Sequence, residues 1–569
     1  MILKKEFLYC VFFWAILLMS GCAGQVPPSG GPPDTTPPTI IRTVPDSNAI
    51  HVSENHIELE FSEYVDRGKV QESIFISPYV GELEFDWGST DVRVNFSQQL
   101  KKNTTYVVNI GTDVEDIRAH NRMAAGYTLA FSTGDSIDHG SISGRVFDEK
   151  PEGIMIFAYA LKDYDPDTLN PSSVKPDYIM QTGKNGVFKL SNIAFGRYRI
   201  IAVRDEYHNL LYDKQVDQFG VTIGDTAVTN EQQSVTDLGF RLSQEDTTKP
   251  FVTNALPVNN RHLQVRFSEP LDSLSFANAL FTITDTLKLA TLPVQLVSLG
   301  RVTPTVVDLM TESRIDSGVA YRVNARKVFD RAGNPIDTAN STLVFVGDGN
   351  PDTIRPVPRF AGIADSAKGI SLDQVLEIDF SEPVLHQPMN DSSISLRDSA
   401  RAAVPVTLRW MNATDIQLLP NGPLQSNAWY RIRVVMDSVQ DYAGNRWKDS
   451  TRVVSFQTID LRTTGTIEGV VSDAWENRGR GRIDITAKRI DGSEGREKTI
   501  QLPAPGSFTF EQIPEGSYVL SAFRDSDGSG TYSFGRPYPF LPSERFAVST
   551  DTVKVRARWG VEGVILKFK

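Results

Sequence analysis

The chain has 569 residues, 40% of them hydrophobic and 22% charged, the make-up of a folded protein of several domains rather than of a disordered chain. A formal net charge of −12 argues against a nucleic-acid-coating role, because phosphate binding needs a basic surface. Cys10 and Cys22 are the only cysteines, so Cys-rich zinc sites and a disulfide framework are excluded as well.

At the amino terminus Lys4 and Lys5 precede the apolar run Phe7 to Met19. That run is shorter than the roughly 18–20 residues a membrane-spanning helix needs. A basic start, a short apolar stretch and then small residues read as a secretory signal over residues 1–21. Its end, Leu18-Met19-Ser20-Gly21-Cys22, resembles the lipobox of bacterial lipoproteins, with Met19 where most carry Leu. The resemblance implies cleavage before Cys22 and lipidation of that residue. An acidic protein gains nothing from anionic lipid, so the lipid on Cys22 would supply the membrane attachment. Residues 22–33 are rich in Gly, Pro and Ser and are read as a tether that packs no core.

Two kinds of repeat follow. The first, type A, opens with Asp34-Thr35, Asp246-Thr247 and Asp352-Thr353, each with Pro three residues after the Thr. A strand with apolar residues at alternate positions then ends in Phe-Ser-Glu, at Phe61-Ser62-Glu63, Phe267-Ser268-Glu269 and Phe380-Ser381-Glu382. Period-two patterning puts the apolar side chains on one face of a half-buried strand. A later strand starts at Tyr106, Tyr321 or Tyr430 and leads into an Asp-containing turn. That turn is Asp330 to Asn334 and Asp441 to Asn445 in two copies, and the more divergent Asp116 to Asn121 in the first. The second kind, type B, opens at Gly140 and Gly465. From Gly186 to Asp205 and from Gly506 to Asp525 the two copies keep a constant offset of 320, so they are a duplication.

The order is A, B, A, A, B. Short strands with a turn signal about every ten residues predict β-sandwiches, and no long stretch carries the apolar period of a major helix. The expected fold class is therefore all-β: a tandem array of five sandwiches over 34–137, 138–245, 246–349, 350–460 and 461–569, separate small cores in a row. Tyr106, Tyr321 and Tyr430 are expected as corner tyrosines that pack and bond backbone.

Type A resembles the SbsA-type bacterial Ig-like domain first described in S-layer proteins, through its Asp-Thr opening, Phe-Ser-Glu-Pro (Phe267 to Pro270 and Phe380 to Pro383) and Asp-x-Ala-Gly-Asn. Type B resembles carboxypeptidase regulatory-like, transthyretin-like sandwiches. The front end, with Cys22-Ala23, Pro28 to Gly31, Asp34 to Pro38, Glu63-Tyr64-Val65 and Ser77-Pro78, resembles a group of Bacteroidota lipoproteins. These resemblances imply an outer-membrane lipoprotein. The residues after Cys22 lack the acidic run of exported members, which implies that it faces the periplasm, with exposure at the cell surface as the alternative.

No catalytic residue is assigned: the seven His lie in no metal-ligand spacing, and no nucleophile elbow or phosphate loop occurs. The sharpest chemical expectation is calcium. In an Ig-like sandwich the start of the first strand, the end of the second and the end of the sixth lie at one pole. That would gather Asp34, Glu63 and Asp116; Asp246, Glu269 and Asp330; and Asp352, Glu382 and Asp441 where one domain meets the one before. Calcium takes six to eight oxygens, so such a trio could hold it and stiffen the junction. The competing reading is that the Asp residues cap their own turns and Glu faces water. Asp525, Asp527 and Ser529 resemble the front of an EF-hand loop, but the twelfth position is Arg536 rather than Glu, and an Asp/Gly turn is the competing reading. Trp410, Trp429 and Trp447 would suit a sugar-stacking face if exposed together. The expected role is a non-catalytic envelope spacer, scaffold or protein-binding module, with a glycan-binding accessory of nutrient uptake as the alternative. Its partners would be a membrane, reached through lipid, and envelope proteins or glycans.

Overall fold

The computed structural model describes residues 34–300, 303–386, 392–474, 480–492, 497–549 and 551–568. The signal, Cys22 and the tether lie outside the described residues. Strand accounts for 48% of the structure and helix for 4%, so the all-β reading holds. Among the described residues no helix is long and apolar enough to cross a membrane.

In the first A segment one sheet runs Ile40–Val44, His56–Phe61, Asp91–Phe96, Leu83–Trp87, and faces a second of Ile74–Ser77, Thr105–Ile110 and Tyr127–Ser132. The other two A segments repeat the four-strand sheet in the same order. The alternation read in the sequence is the burial observed: Ile57, Leu59 and Phe61, Leu263, Val265 and Phe267, and Leu376, Ile378 and Phe380 are all buried, while the residues between them are not. Among the described residues, separate apolar clusters lie in each of the three A segments and in the last B segment. A short helix, Arg67–Ser73, is an addition that the sequence reading passed over; Asp66 caps it by accepting from the Lys69 amide at 3.0 Å.

By its packing the chain divides into two compact units. The first holds the described residues up to Pro166 with Lys175–Ile200 and Asp225–Thr236; the second holds Asp167–Val174, Ile201–Gly224 and everything from Asp237 onward. In the last B segment Thr464–Asp473 pairs with Gly506–Pro514 and, in parallel, with Gly560–Phe568. The opening glycines of type B are a packing requirement. A Cβ at Gly140 would stand 2.4 Å from the Ile193 carbonyl oxygen, and one at Gly465 would stand 2.4 Å from that of Trp559.

The corner tyrosines take up the expected role in all three A segments. The Tyr106, Tyr321 and Tyr430 hydroxyls accept from the amides of Lys101, Asp316 and Gln425 at 2.8, 3.0 and 2.8 Å, five residues back each time. Their rings stack on Phe131, Phe345 and Phe456 with centroids 5.6–5.8 Å apart. In type B the hydroxyl donates instead: Tyr198 to Ala194 and Tyr518 to Pro514, both carbonyls four residues back. Replacing Tyr430 by Phe keeps the ring but strands the Gln425 amide. The expected cost is about 1–3 kcal/mol, read as a lower melting transition by calorimetry; a change of a few tenths would show that the bond does not matter.

Candidate cation sites

Each A segment assembles its carboxylates with the same few bonds. The opening Asp caps its own turn, accepting from the amide two residues on: Thr36, Thr248 and Ile354, at 2.9–3.0 Å. The Ser of Phe-Ser-Glu then accepts from the incoming strand, Thr39 to Ser62, Phe251 to Ser268 and Val357 to Ser381, at 3.0–3.1 Å. That clamp sets the following Glu beside the opening Asp. The third carboxylate arrives through an isolated antiparallel bridge, Val65 with Asp116, Leu271 with Asp330 and Val384 with Asp441. An asparagine locks the set. Asn121, Asn334 and Asn445 donate through Nδ2 to the carbonyls of Asp34, Asp246 and Asp352 at 3.0–3.1 Å.

The outcome differs between copies. Asp246, Glu269 and Asp330 offer oxygens all within 4.8 Å of one another, and so do Asp352, Glu382 and Asp441. In the first copy the charges of Asp116 and Asp34 add to burial in raising the Glu63 carboxyl, but Asp34, Glu63 and Asp116 do not close to that distance. The turn of the first copy also has one residue more. Asp116 and Asn121 are five apart, so the amides of Arg118, Ala119 and Asn121 all converge on the Asp116 carboxylate. With a separation of four, Asp330 and Asp441 bond only their own Asn and, for Asp441, the Ala443 amide.

In both closed sets one glutamate oxygen is buried without a partner, Oε1 of Glu269 and Oε1 of Glu382. Leaving a buried acceptor unmatched costs about 1–3 kcal/mol, more when it is charged. Glu382 is the extreme case, with 9% of its surface exposed. Burial, and then the charges of Asp352, Asp441 and Asp308, push its carboxyl up to about 8. Its neighbours come from both sides of the junction between the second and third A segments. Asn259 donates to Asp352 at 2.8 Å, Asn412 donates to the Leu299 carbonyl at 3.2 Å, and His262 bonds Asp308 at 2.7 Å in a buried pair. Asp379 is pushed up to about 6 by burial and by Asp415. Such a crowd of acids calls for protons or a cation.

Asp525 and Asp527 also come together, and their third member is Glu544. The candidate Ser529 is a turn residue there: its amide donates to Asp527 and its hydroxyl to the Thr531 carbonyl. The tryptophans do not make one face. Trp410 lies against Phe380 and stacks on His386, on the sheet of Asp415–Pro420. Trp429 is on the opposite sheet, paired with Gln457. Trp447 donates to the Pro356 carbonyl and has Arg355 and Arg452 against its ring. A groove of about 570 Å³ in the first unit is lined by Phe75, Asn109, Tyr127, Glu152, Gln181 and Lys184 among others, and brings no His, Ser or Cys together with that carboxylate.

Several solved structures resemble the chain at low identity. The N-terminal part of the bacterial S-layer protein SbsC is 13% identical over 37% of this chain and 44% of its own, with a TM-score of 0.17. Domains 1–6 of SbsC are 9% identical over 91% and 66%, with a TM-score of 0.16. An L,D-transpeptidase from Mycobacterium smegmatis is 11% identical over 37% and 90%, with a TM-score of 0.14. The chain thus spans under half of the SbsC fragment, and likenesses of this order speak to no function. No curated protein sequence matches the chain. At the level of sequence families, residues 34–133 and 352–458, within the first and third A segments, match the model of the bacterial Ig-like domain.

Proposed function

We propose that this chain is a non-catalytic scaffold or spacer of the bacterial cell envelope, lipid-anchored through Cys22 to the outer membrane and facing the periplasm, whose A domains are stiffened at their heads by calcium. The observation that carries the reading is the repeated Asp–Glu–Asp set, closed in two copies and holding an unmatched buried glutamate oxygen in each. A structural repeat whose invariant chemistry sits at its junctions, and not in a cleft, suits load-bearing or spacing better than turnover. The matches to the bacterial Ig-like domain agree with an envelope setting.

The anchor is tested by fractionation. The parent chain is expected in the outer-membrane fraction, resistant to protease added to intact cells, while Cys22→Ser is expected in the soluble periplasm. A Cys22→Ser protein that still sediments with the membrane would refute lipid attachment. Crosslinking in the native envelope followed by pull-down is expected to recover envelope proteins. Recovery of glycan alone, abolished by Trp→Ala changes, would replace the scaffold reading with the glycan one.

A further inference from the structure

The loop 526–545 of the last B segment joins the strand Gly516–Asp525 to the strand Phe546–Val548 and brings three carboxylates together. Asp525, at its start, is 2% exposed. Its Oδ2 accepts from the Gly530 amide at 3.1 Å and meets Arg482 at 3.1 Å, whereas Oδ1 is buried with no partner. Glu544, at the loop's end, takes the Ser526 amide and hydroxyl on one oxygen and the Ser533 amide on the other. Asp527 takes the Ser529 amide and the Ser533 hydroxyl. Oxygens of Asp525, Asp527 and Glu544 lie within 4.8 Å of one another.

The other B copy supplies an internal control. Asp205 stands where Asp525 does, and both its oxygens are satisfied, by the amides of Asn209 and Leu210. Asp217 stands where Glu544 does: one oxygen takes the Glu206 amide, as Glu544 takes that of Ser526, and the other takes the Asp213 amide. Tyr207 occupies the place of Asp527. In that copy the backbone closes the loop unaided. The first copy's further carboxylate, Asp213, is taken by the Asn209 side chain, whereas in the last copy a carboxylate stands at the place of Tyr207 and a buried oxygen of Asp525 is left open, a donor set that a hard cation takes.

The same loop reaches the first B segment. The Ser543 hydroxyl donates to the Val221 carbonyl at 2.9 Å and its amide to Thr222 at 3.2 Å, while the Arg241 guanidinium lies 4.7 Å from the Tyr532 ring. The loop's two ends, Asp525 and Glu544, are the two ends of the carboxylate set.

We propose that Asp525, Asp527 and Glu544 bind one calcium ion, and that this ion holds loop 526–545 closed as a clasp on the strand Gln218–Val221. This rests on residues separate from those of the A domains, so the two readings can fail independently. The test uses the full chain with calcium chloride, by titration calorimetry and by hydrogen exchange. Calcium is expected to slow exchange in both 526–545 and 218–222. Asp527→Asn, a change at an exposed residue, is expected to weaken one class of calcium site by about tenfold or more and to remove that protection, while Glu382→Gln leaves both intact. Asp527→Tyr, which copies the first B segment, should do the same as Asp527→Asn. Equal exchange in calcium and in chelator, or unchanged calcium binding in Asp527→Asn, would overturn the proposal.

Discussion

Millimolar calcium is expected to raise the melting transition of the third A domain in the parent chain and to leave it unmoved in Glu382→Gln. A ligand held at a hundred times its Kd stabilises by about 2.7 kcal/mol, which in a domain of about 100 residues is a shift of roughly 10 °C or more. The metal-free protein should behave differently with pH. Burial and the charges of Asp352, Asp441 and Asp308 raise the Glu382 carboxyl from an ordinary 4.5 to about 8. The facing groups that act the other way, His262 beside Asp352 and Arg359 beside Asp379, do not reverse this. A group raised on folding holds its proton more tightly when folded. Its stabilisation is complete below the unfolded value near 4.5 and is lost as the pH climbs through about 8. In chelator, then, the transition should fall over that window, and calcium, replacing the proton, should abolish the fall. Glu382→Gln carries no charge at any pH. In chelator at pH 8 it should melt above the parent, where a glutamate of merely structural value would melt below it. Scanning calorimetry of the full chain, resolved domain by domain, separates these outcomes. Identical traces in chelator and in calcium would sink the cation reading of the A domains.

The A-domain trio was legible in the sequence because its members recur at fixed places relative to strand signals. Once Phe-Ser-Glu ends one strand and Asp follows another, strand alternation alone puts them at one pole. What stayed hidden was the role of Asn121, Asn334 and Asn445. Asn in a turn is so well explained by its tolerance of left-handed backbone that a second duty, donating to the opening Asp, leaves no separate trace. The divergent first turn was legible as divergent, but its effect was not: with one residue more, it brings the Ala119 amide onto Asp116 beside those of Arg118 and Asn121. Glu544 was out of reach for a different reason. An EF-hand places its last ligand by loop count, and counting from Asp525 reaches Arg536. In a sandwich the loop closes wherever the next strand of the sheet begins, here at Phe546. The buried His262–Asp308 pair was likewise invisible, since its members sit 46 residues apart and meet only because their strands are neighbours in one sheet.

Asp473→Asn is expected to destabilise the last B segment by about 3–5 kcal/mol, the largest single effect foreseen for the chain. Asp473 ends the strand Thr464–Asp473 and its side chain is fully buried. One oxygen meets Arg524 at 2.6 Å and the other meets Arg545 at 2.6 Å; neither guanidinium exposes more than 12% of its side chain. The amide keeps the shape and removes the carboxylate that both arginines meet. Two buried cations then face each other, and their mutual repulsion and lost solvation are felt together. Such a set is expensive to break and need not be valuable to keep. Changing all three residues to apolar ones of similar size, Asp473→Leu with Arg524→Met and Arg545→Met, should restore most of the loss. Calorimetry on the single and triple variants distinguishes the two statements, and a single variant within about 1 kcal/mol of the parent would contradict the first. Arg545 follows Glu544 directly, so the triad also fixes the strand end onto which loop 526–545 closes. In Asp473→Asn that loop should be the first segment a protease cuts, and calcium should delay the cut if the carboxylate set still closes. Cleavage starting elsewhere would mean that the ion triad and the loop are independent.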